Sequence, residues 1–254
     1  MILAITRPVP RSISEGERTH LERVAIHYET AAAQHSAYID ALRVAGCEIL
    51  ELEALDDLPD SVFVEDAAVV FDEFAVVTRP GAASRRGEIA SVESALRRYT
   101  QVYTIENPGT IDGGDVLVNG KDVRVGLSSR TNPQGAAQLR EIVARHGYRA
   151  SEATFEGCLH LKSAATALPG GTILINPRWI DQSQFAGWPV LEADRDEPFA
   201  ANALTIGNAV LFPPAYQRTM EMLRGEGYDV RPVDLSELAK AEGALTCCSI
   251  LVRM

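Results

Sequence analysis

Four times along this chain two short apolar runs lie close together, an amphipathic stretch follows, and a further apolar run comes after it. The units cover about 60–105, 112–153, a shorter one over 160–192, and 201–234, a self-similarity of roughly 45 residues that points to a radial or stacked repeat. Turn residues join the paired runs: Phe71-Asp72-Glu73, Asn119-Gly120-Lys121-Asp122, Pro169-Gly170-Gly171 and Gly207-Asn208. Glycine, asparagine and aspartate tolerate the left-handed backbone that tight hairpins need. Hairpins make antiparallel pairs, which an open all-parallel sheet does not contain. The pattern therefore predicts an α/β chain closed into a propeller-like ring of ββαβ units. Plain α/β alternation in one open sheet is the competing arrangement.

In detail, strands are expected at 47–52, 61–64, 75–78, 102–105, 115–118, 123–125, 172–175, 203–206 and 209–212. Helices are expected at 26–45, 86–99, 133–147, 178–186 and 214–226, the first with Ala32, His35, Ile39 and Leu42 on one face. Gly46, Gly147 and Gly227 follow helical stretches, as C-terminal capping glycines do. The segment 3–53 reads as strand, long connection, helix, strand, and 245–252 as a strand completing a unit begun elsewhere. Residues 8–25 are polar and charged and are expected to form a mobile surface segment. No linker or low-complexity stretch divides the chain, so 1–254 is read as one domain.

A formal net charge of −11 disfavours nucleic acid and anionic membrane surfaces as partners and suits a cationic ligand. The apolar content, 46%, supports a sizeable core. Four cysteines are too few for a disulfide scaffold. No apolar stretch approaches a membrane span, and the first residues lack a basic signal-peptide start. A cytoplasmic protein with reduced thiols is expected.

Chemistry-bearing residues gather in a few places. Pro59-Asp60-Ser61-Val62-Phe63-Val64-Glu65-Asp66 packs carboxylates around an apolar run, and a strand there would turn Asp60 and Asp66 to one face. Pro108-Gly109-Thr110-Ile111-Asp112-Gly113-Gly114-Asp115 places glycines around an aspartate, which allows close backbone approach. His160 lies between leucines in Cys158-Leu159-His160-Leu161-Lys162-Ser163, a setting in which a buried core histidine is the ordinary outcome unless a cysteine and a carboxylate converge on it. Arg85 and Arg130 follow the second strand of successive units, so a ring would bring both to one face. Arginine forks onto carboxylates. The adjacent pair Cys247-Cys248 is a poor structural disulfide and offers one candidate nucleophile. Together these groups suit an α-amino acid with a cationic tail.

As an ordered set, Pro59 to Asp66, Thr78-Arg79-Pro80-Gly81, Ser84-Arg85-Arg86, Asp112-Gly113-Gly114-Asp115, Ser129-Arg130-Thr131-Asn132, Leu159-His160-Leu161-Lys162, Ala200-Ala201-Asn202 and Leu245-Thr246-Cys247-Cys248-Ser249 resemble the dimethylarginine dimethylaminohydrolase family. That family belongs to the guanidine-modifying, or amidinotransferase-like, superfamily. The resemblance runs from about residue 30 to 254. It implies a five-bladed α/β-propeller of ββαβ repeats with pseudo-fivefold symmetry. It also implies hydrolysis of Nω-methylated L-arginine to L-citrulline and a methylamine through a covalent S-alkylthiouronium intermediate, with no cofactor and no metal. In that resemblance Cys247 is the nucleophile, His160 the general acid/base and Asp112 its carboxylate partner. Glu65 and Asp66 surround the guanidinium, and Asp60 binds near the amino acid end. Arg85 and Arg130 clamp the α-carboxylate, and Phe63 lines the pocket. A homodimer is compatible with it. Glu242 stands where the family is expected to carry an aspartate, near the guanidinium, so the preferred alkylation state is the point most open to change. Residues 8–25 match poorly, in a region that forms the family's lid.

Three other readings compete. An arginine deiminase-like enzyme would release ammonia instead of an alkylamine. A metal-dependent hydrolase would use Asp60, Asp66, Asp112, Asp115 and His160. A non-catalytic protein binding cationic amino acids would keep the pocket without the chemistry.

Overall fold

The computed structural model describes all 254 residues. Strand β1 (Ile2–Thr6), helix α1 (Tyr28–Val44) and strand β2 (Cys47–Glu51) open the chain. A hairpin of β3 (Ala68–Val70) and β4 (Phe74–Val77) follows, then α2 (Ile89–Leu96) and β5 (Gln101–Thr104). The order repeats as β6 (Val116–Asn119), β7 (Asp122–Gly126), α3 (Pro133–Ala144) and β8 (Arg149–Ala153). A one-turn helix α4 (Leu161–Ala164) leads into β9 (Ala165–Ala167), β10 (Ile173–Ile175) and β11 (Val190–Glu192). The next unit is β12 (Leu204–Ile206), β13 (Ala209–Phe212), α5 (Gln217–Gly225) and β14 (Asp229–Pro232), and α6 (Ser236–Ala239) and β15 (Ile250–Arg253) complete the chain.

These strands form five separate three-stranded sheets. In each, an antiparallel pair is extended by a parallel strand on the far side of the middle one. The four expected hairpin turns are all present, between β3 and β4, β6 and β7, β9 and β10, and β12 and β13. The fifth sheet is assembled from distant chain: β15 pairs antiparallel with β1, and β1 parallel with β2. So 250–253 completes the unit begun at residue 2. One edge strand of each sheet, β3, β6, β9, β12 and β15, lines one cavity of about 430 Å³, which makes these strands the inner wall of a ring. The helices lie outside. Tyr38, Leu42, Leu96 and Leu139 are fully buried between helix and sheet.

Local departures from the expected pattern have simple causes. Residues 61–64 are not a strand: the chain turns there and enters a 3-10 turn, Val64–Ala67, whose apolar side chains are buried without a partner strand. The inference that alternation turns Asp60 and Asp66 to one face falls with it. His160 is not in a strand but is the extended residue before α4. On α1 the buried stripe takes Ala31 and Tyr38 rather than Ala32. The helix expected at 178–186 is a single 3-10 turn, Gln182–Phe185. Residues 8–25 run over the surface for most of their length, as expected, but are anchored: Val9 and Ile13 are buried in the core and Gly16 is packed against Asp60. Gly46, Gly147 and Gly227 have φ of 95°, 76° and 88°, the left-handed region that ends a helix.

Candidate active site

A small cavity of about 20 Å³ is lined by Asp60, Phe63, Asp66, Arg85, Arg130, His160, Glu242 and Cys247, together with Glu17. Eight of the ten expected site residues therefore meet at one place, although they come from five segments spread from residue 60 to residue 247. The other two are adjacent. Asp112 is fully buried behind His160, and Glu65 lies between the cavity and the central channel.

His160 Nε2 lies 3.1 Å from Asp112 Oδ2, and Nδ1 lies 3.9 Å from Asp66 Oδ1. Asp112 Oδ1 also accepts the backbone N–H of Gly81 at 3.0 Å. Burial opposes a charge on His160, but Asp66, Asp115 and Asp112 outweigh it and raise its pKa to about 9. Asp66 accepts from Gly114 N at 2.9 Å and from Arg85 Nη1. Burial alone would raise Asp66; the His160 and Arg85 charges win and hold its carboxyl below the usual range. A Cβ on Gly114 would lie 2.7 Å from His160 Nδ1, which explains a glycine after Asp112-Gly113: the backbone itself packs on the imidazole.

The two arginines differ. Arg85 is buried and spends Nε and Nη2 on Glu88 and on the carbonyls of Asp60 and Phe63, and one Nη1 hydrogen on Asp66. A guanidinium has five N–H groups, so one on Nη1 is left without a protein acceptor. Arg85 thus holds Asp66 and brings a single free N–H to any carboxylate clamp. The Arg130 side chain has a single protein partner, Thr19 Oγ1 at 3.3 Å, and keeps its fork available.

Cys247 is partly exposed to the cavity, whereas Cys248 is fully buried in the core. Cys247 lies in a 3-10 turn, Thr246–Cys248, immediately before β15. Burial and the carboxylates of Glu65 and Asp66 push its thiol well above the ordinary range. Glu65 is tied down from both sides, by Lys162 Nζ at 2.7 Å and by Thr246 Oγ1 at 2.7 Å. Asn202 in turn accepts from Thr246 N and donates to Lys162 O and to Thr246 Oγ1. Asn202, Thr246, Lys162 and Glu88 were not among the expected site residues. Asn202, Thr246 and Lys162 occur in the motifs quoted above, but only the ring brings them together.

Asp66, Asp112 and His160 offer ligand atoms within 4.8 Å of one another, the one group with the spacing of a metal site. The donor set does not fit a divalent cation. Asp66 is already neutralised by a buried Arg85, and both aspartates also accept backbone N–H groups, so the oxygens a cation would need are spent on protein donors. Glu242 stands apart from this group of ligand atoms. Its carboxylate accepts the backbone N–H groups of Thr19, His20 and Leu21.

Comparison with known proteins gives a consistent picture. A family model described as N,N dimethylarginine dimethylhydrolase, eukaryotic, matches residues 13–168. The N(G),N(G)-dimethylarginine dimethylaminohydrolase of Streptomyces coelicolor is 42% identical over 250 residues, covering 98% of this chain and 96% of that protein. A crystal structure of a dimethylarginine dimethylaminohydrolase histidine-to-glycine variant, in an adduct with S-methyl-L-thiocitrulline, superimposes with a TM-score of 0.93 at 35% identity, covering 99% of this chain and 100% of that one. A cysteine-to-serine mutant of the Pseudomonas aeruginosa enzyme complexed with citrulline gives 0.92 at 35% identity, covering 98% of each chain.

Proposed function

The chain belongs to the dimethylarginine dimethylaminohydrolase family, and from that premise we propose how this site carries out its reaction. It is a hydrolase that cleaves a C–N bond of the guanidino group of methylated arginine and yields citrulline. One observation supports the residue assignment above all: Cys247, the imidazolium of His160 and the carboxylate of Asp66 border the same small cavity, which is also lined by Arg130 with its fork available.

In this reading the substrate binds as a cation, since its guanidinium stays protonated at any physiological pH. Asp66 faces the guanidinium, Asp60 the α-ammonium, and Arg130, with the spare N–H of Arg85, the α-carboxylate. The resting Cys247 holds its proton, because burial and two nearby carboxylates disfavour a third negative charge. The arriving cation reverses that balance: the thiol proton leaves to solvent and the thiolate attacks the central guanidinium carbon. His160, held as imidazolium, donates its proton to the nitrogen that departs as the amine, leaving an S-alkylthiouronium on Cys247. The now neutral imidazole, aimed by Asp112, takes a proton from water as it adds to the same carbon. Collapse breaks the C–S bond and releases citrulline.

The same reading takes residues 1–254 as one catalytic domain with reduced thiols in the cytoplasm, acting as a monomer or a homodimer. No helix is long and apolar enough to cross a membrane. Steady-state kinetics on asymmetric dimethylarginine, monomethylarginine and arginine, run side by side with detection of dimethylamine, methylamine and ammonia, tests the assignment. The highest kcat/KM is expected on a methylated substrate. A preference for arginine with ammonia release would move the chain to deiminase chemistry.

A further inference from the structure

Glu242 is the one non-glycine residue with positive φ, at 61°. That conformation is costly for a side chain with a Cβ and persists where the surroundings hold it. The outcome of the twist is visible. The Glu242 carboxylate collects three consecutive backbone N–H groups, Oε2 from Thr19 and Oε1 from His20 and Leu21, at 2.5 to 2.9 Å. The segment so gathered continues from Glu17, which lines the cavity, and reaches the cavity's Arg130 through Thr19, so it roofs the site. Its other edge is tied to Asp60, whose Oδ2 accepts Glu17 N at 2.9 Å, and Gly16 lies so close that a Cβ would meet Asp60 Oδ1 at 2.3 Å. Ser84 adds a hydrogen bond to the Glu17 carboxylate at 2.7 Å. Residues 16–21 therefore span the opening between two carboxylates, and the space beneath is about 20 Å³, far short of the several hundred Å³ of a ligand pocket. A substrate enters only when this roof lifts.

We propose that Glu242 is a positioning residue, a latch that preforms the closed roof and thereby sets Thr19 against Arg130. The chain of contact is direct: Glu242 fixes the Thr19 backbone, and Thr19 Oγ1 meets Arg130 Nη2 at 3.3 Å. With the roof preformed, a bound substrate does not bear the cost of ordering it. Glutamate rather than aspartate has the extra methylene to reach across from a backbone that the cavity wall holds back. Glu242 also lines a neighbouring cavity of about 180 Å³ together with Leu21, so the latch stands in the partition between the two spaces. The proposal rests on the cavity being the substrate site, but its first readout does not depend on turnover.

The test is hydrogen exchange of the amides of Thr19, His20 and Leu21 in Glu242→Gln, with alkylation of Cys247 by iodoacetamide in the resting enzyme and a kcat against KM comparison. Exchange at least tenfold faster, faster alkylation, and a KM raised several-fold with single-turnover rate at saturation within about twofold are expected. Unchanged exchange and alkylation, with an altered ratio of activity between arginine and its methylated forms, would overturn the latch and return Glu242 to a guanidinium contact. His20→Pro removes one donor from the roof side and leaves residue 242 intact; it should reproduce the faster exchange, and parent-like exchange there counts against the latch. Thr19→Val keeps the latch and deletes the hydroxyl facing Arg130: parent-like exchange with raised KM is expected, and an unchanged KM breaks the link to Arg130.

Discussion

At the scale of single residues, the adjacent cysteines show how much a backbone turn decides. Cys247 faces the cavity and Cys248 the core, so Cys247→Ala should lower kcat by more than a thousandfold, whereas Cys248→Ala should keep most activity and lose stability by about 1 kcal/mol from a small cavity. Amine release assays and thermal melts read the two effects separately. His160 gives a pH prediction. Its pKa, near 6.5 in an unfolded chain, stands at about 9 in the fold. The stability contributed by the imidazolium among its carboxylates is therefore complete below about 6.5 and is lost as pH rises through about 9. kcat/KM should fall over the same upper limb, and a pH series of melts and initial rates checks both. An enzyme whose activity climbs steadily past that range would not be using His160 as an acid. Sequence spacing could not identify the partners of these groups. Glu65 with Lys162 and Thr246, or Arg85 with Glu88 and Asp66, are matched by position in a ring, and each polar residue alone looks like a solvated one.

At the scale of elements, loop chemistry and strand pairing share the work. The α3 N-terminus is capped by Asn132, whose Oδ1 accepts Gly135 N at 2.8 Å and also Thr110 N at 3.0 Å. Asn132→Ala removes both and should cost about 1–2 kcal/mol, seen as a lower midpoint in denaturant. Arg130 lies two residues earlier, so KM is expected to rise as well. Hairpins were the legible elements, because Asn119-Gly120 and Gly207-Asn208 carry backbone requirements that few residues meet. The misread run 61–64 shows the opposite case. Val62, Phe63 and Val64 look like strand, but their burial comes from packing at the ring's end, which no local periodicity encodes. The strand Ala165–Ala167 is two alanines around a threonine, with none of the large β-branched residues that mark Ile173–Ile175, so it does not stand out in the sequence.

At the scale of the whole molecule, the ring predicts its own tolerance. Met1 N donates to Met254 O at 3.2 Å, so the two ends of the chain meet on β1 and β15. A circular permutant that joins them through a short glycine linker and opens the chain at Gly207-Asn208 should fold and turn over substrate near the parent rate, because the new break lies in a hairpin turn away from the cavity. Loss of helical and sheet signal in the permutant would show that the order of synthesis matters more than the closed architecture. The repeat read from the sequence carried this far, since the fifth unit was legible only as two unfinished pieces.

The split sheet has a kinetic consequence. Four sheets form between strands near one another in the chain, but β15 and β1 must find each other across a loop of nearly the full length, an event whose entropic cost grows only slowly with length yet comes late on the folding path. Cys247 immediately precedes that last strand. A molecule with four sheets formed and the fifth undone would present arginines, aspartates and histidine, and no placed thiol. Recovery of turnover on refolding would then act as a clock for ring closure, lagging behind signals that report only on the other four sheets.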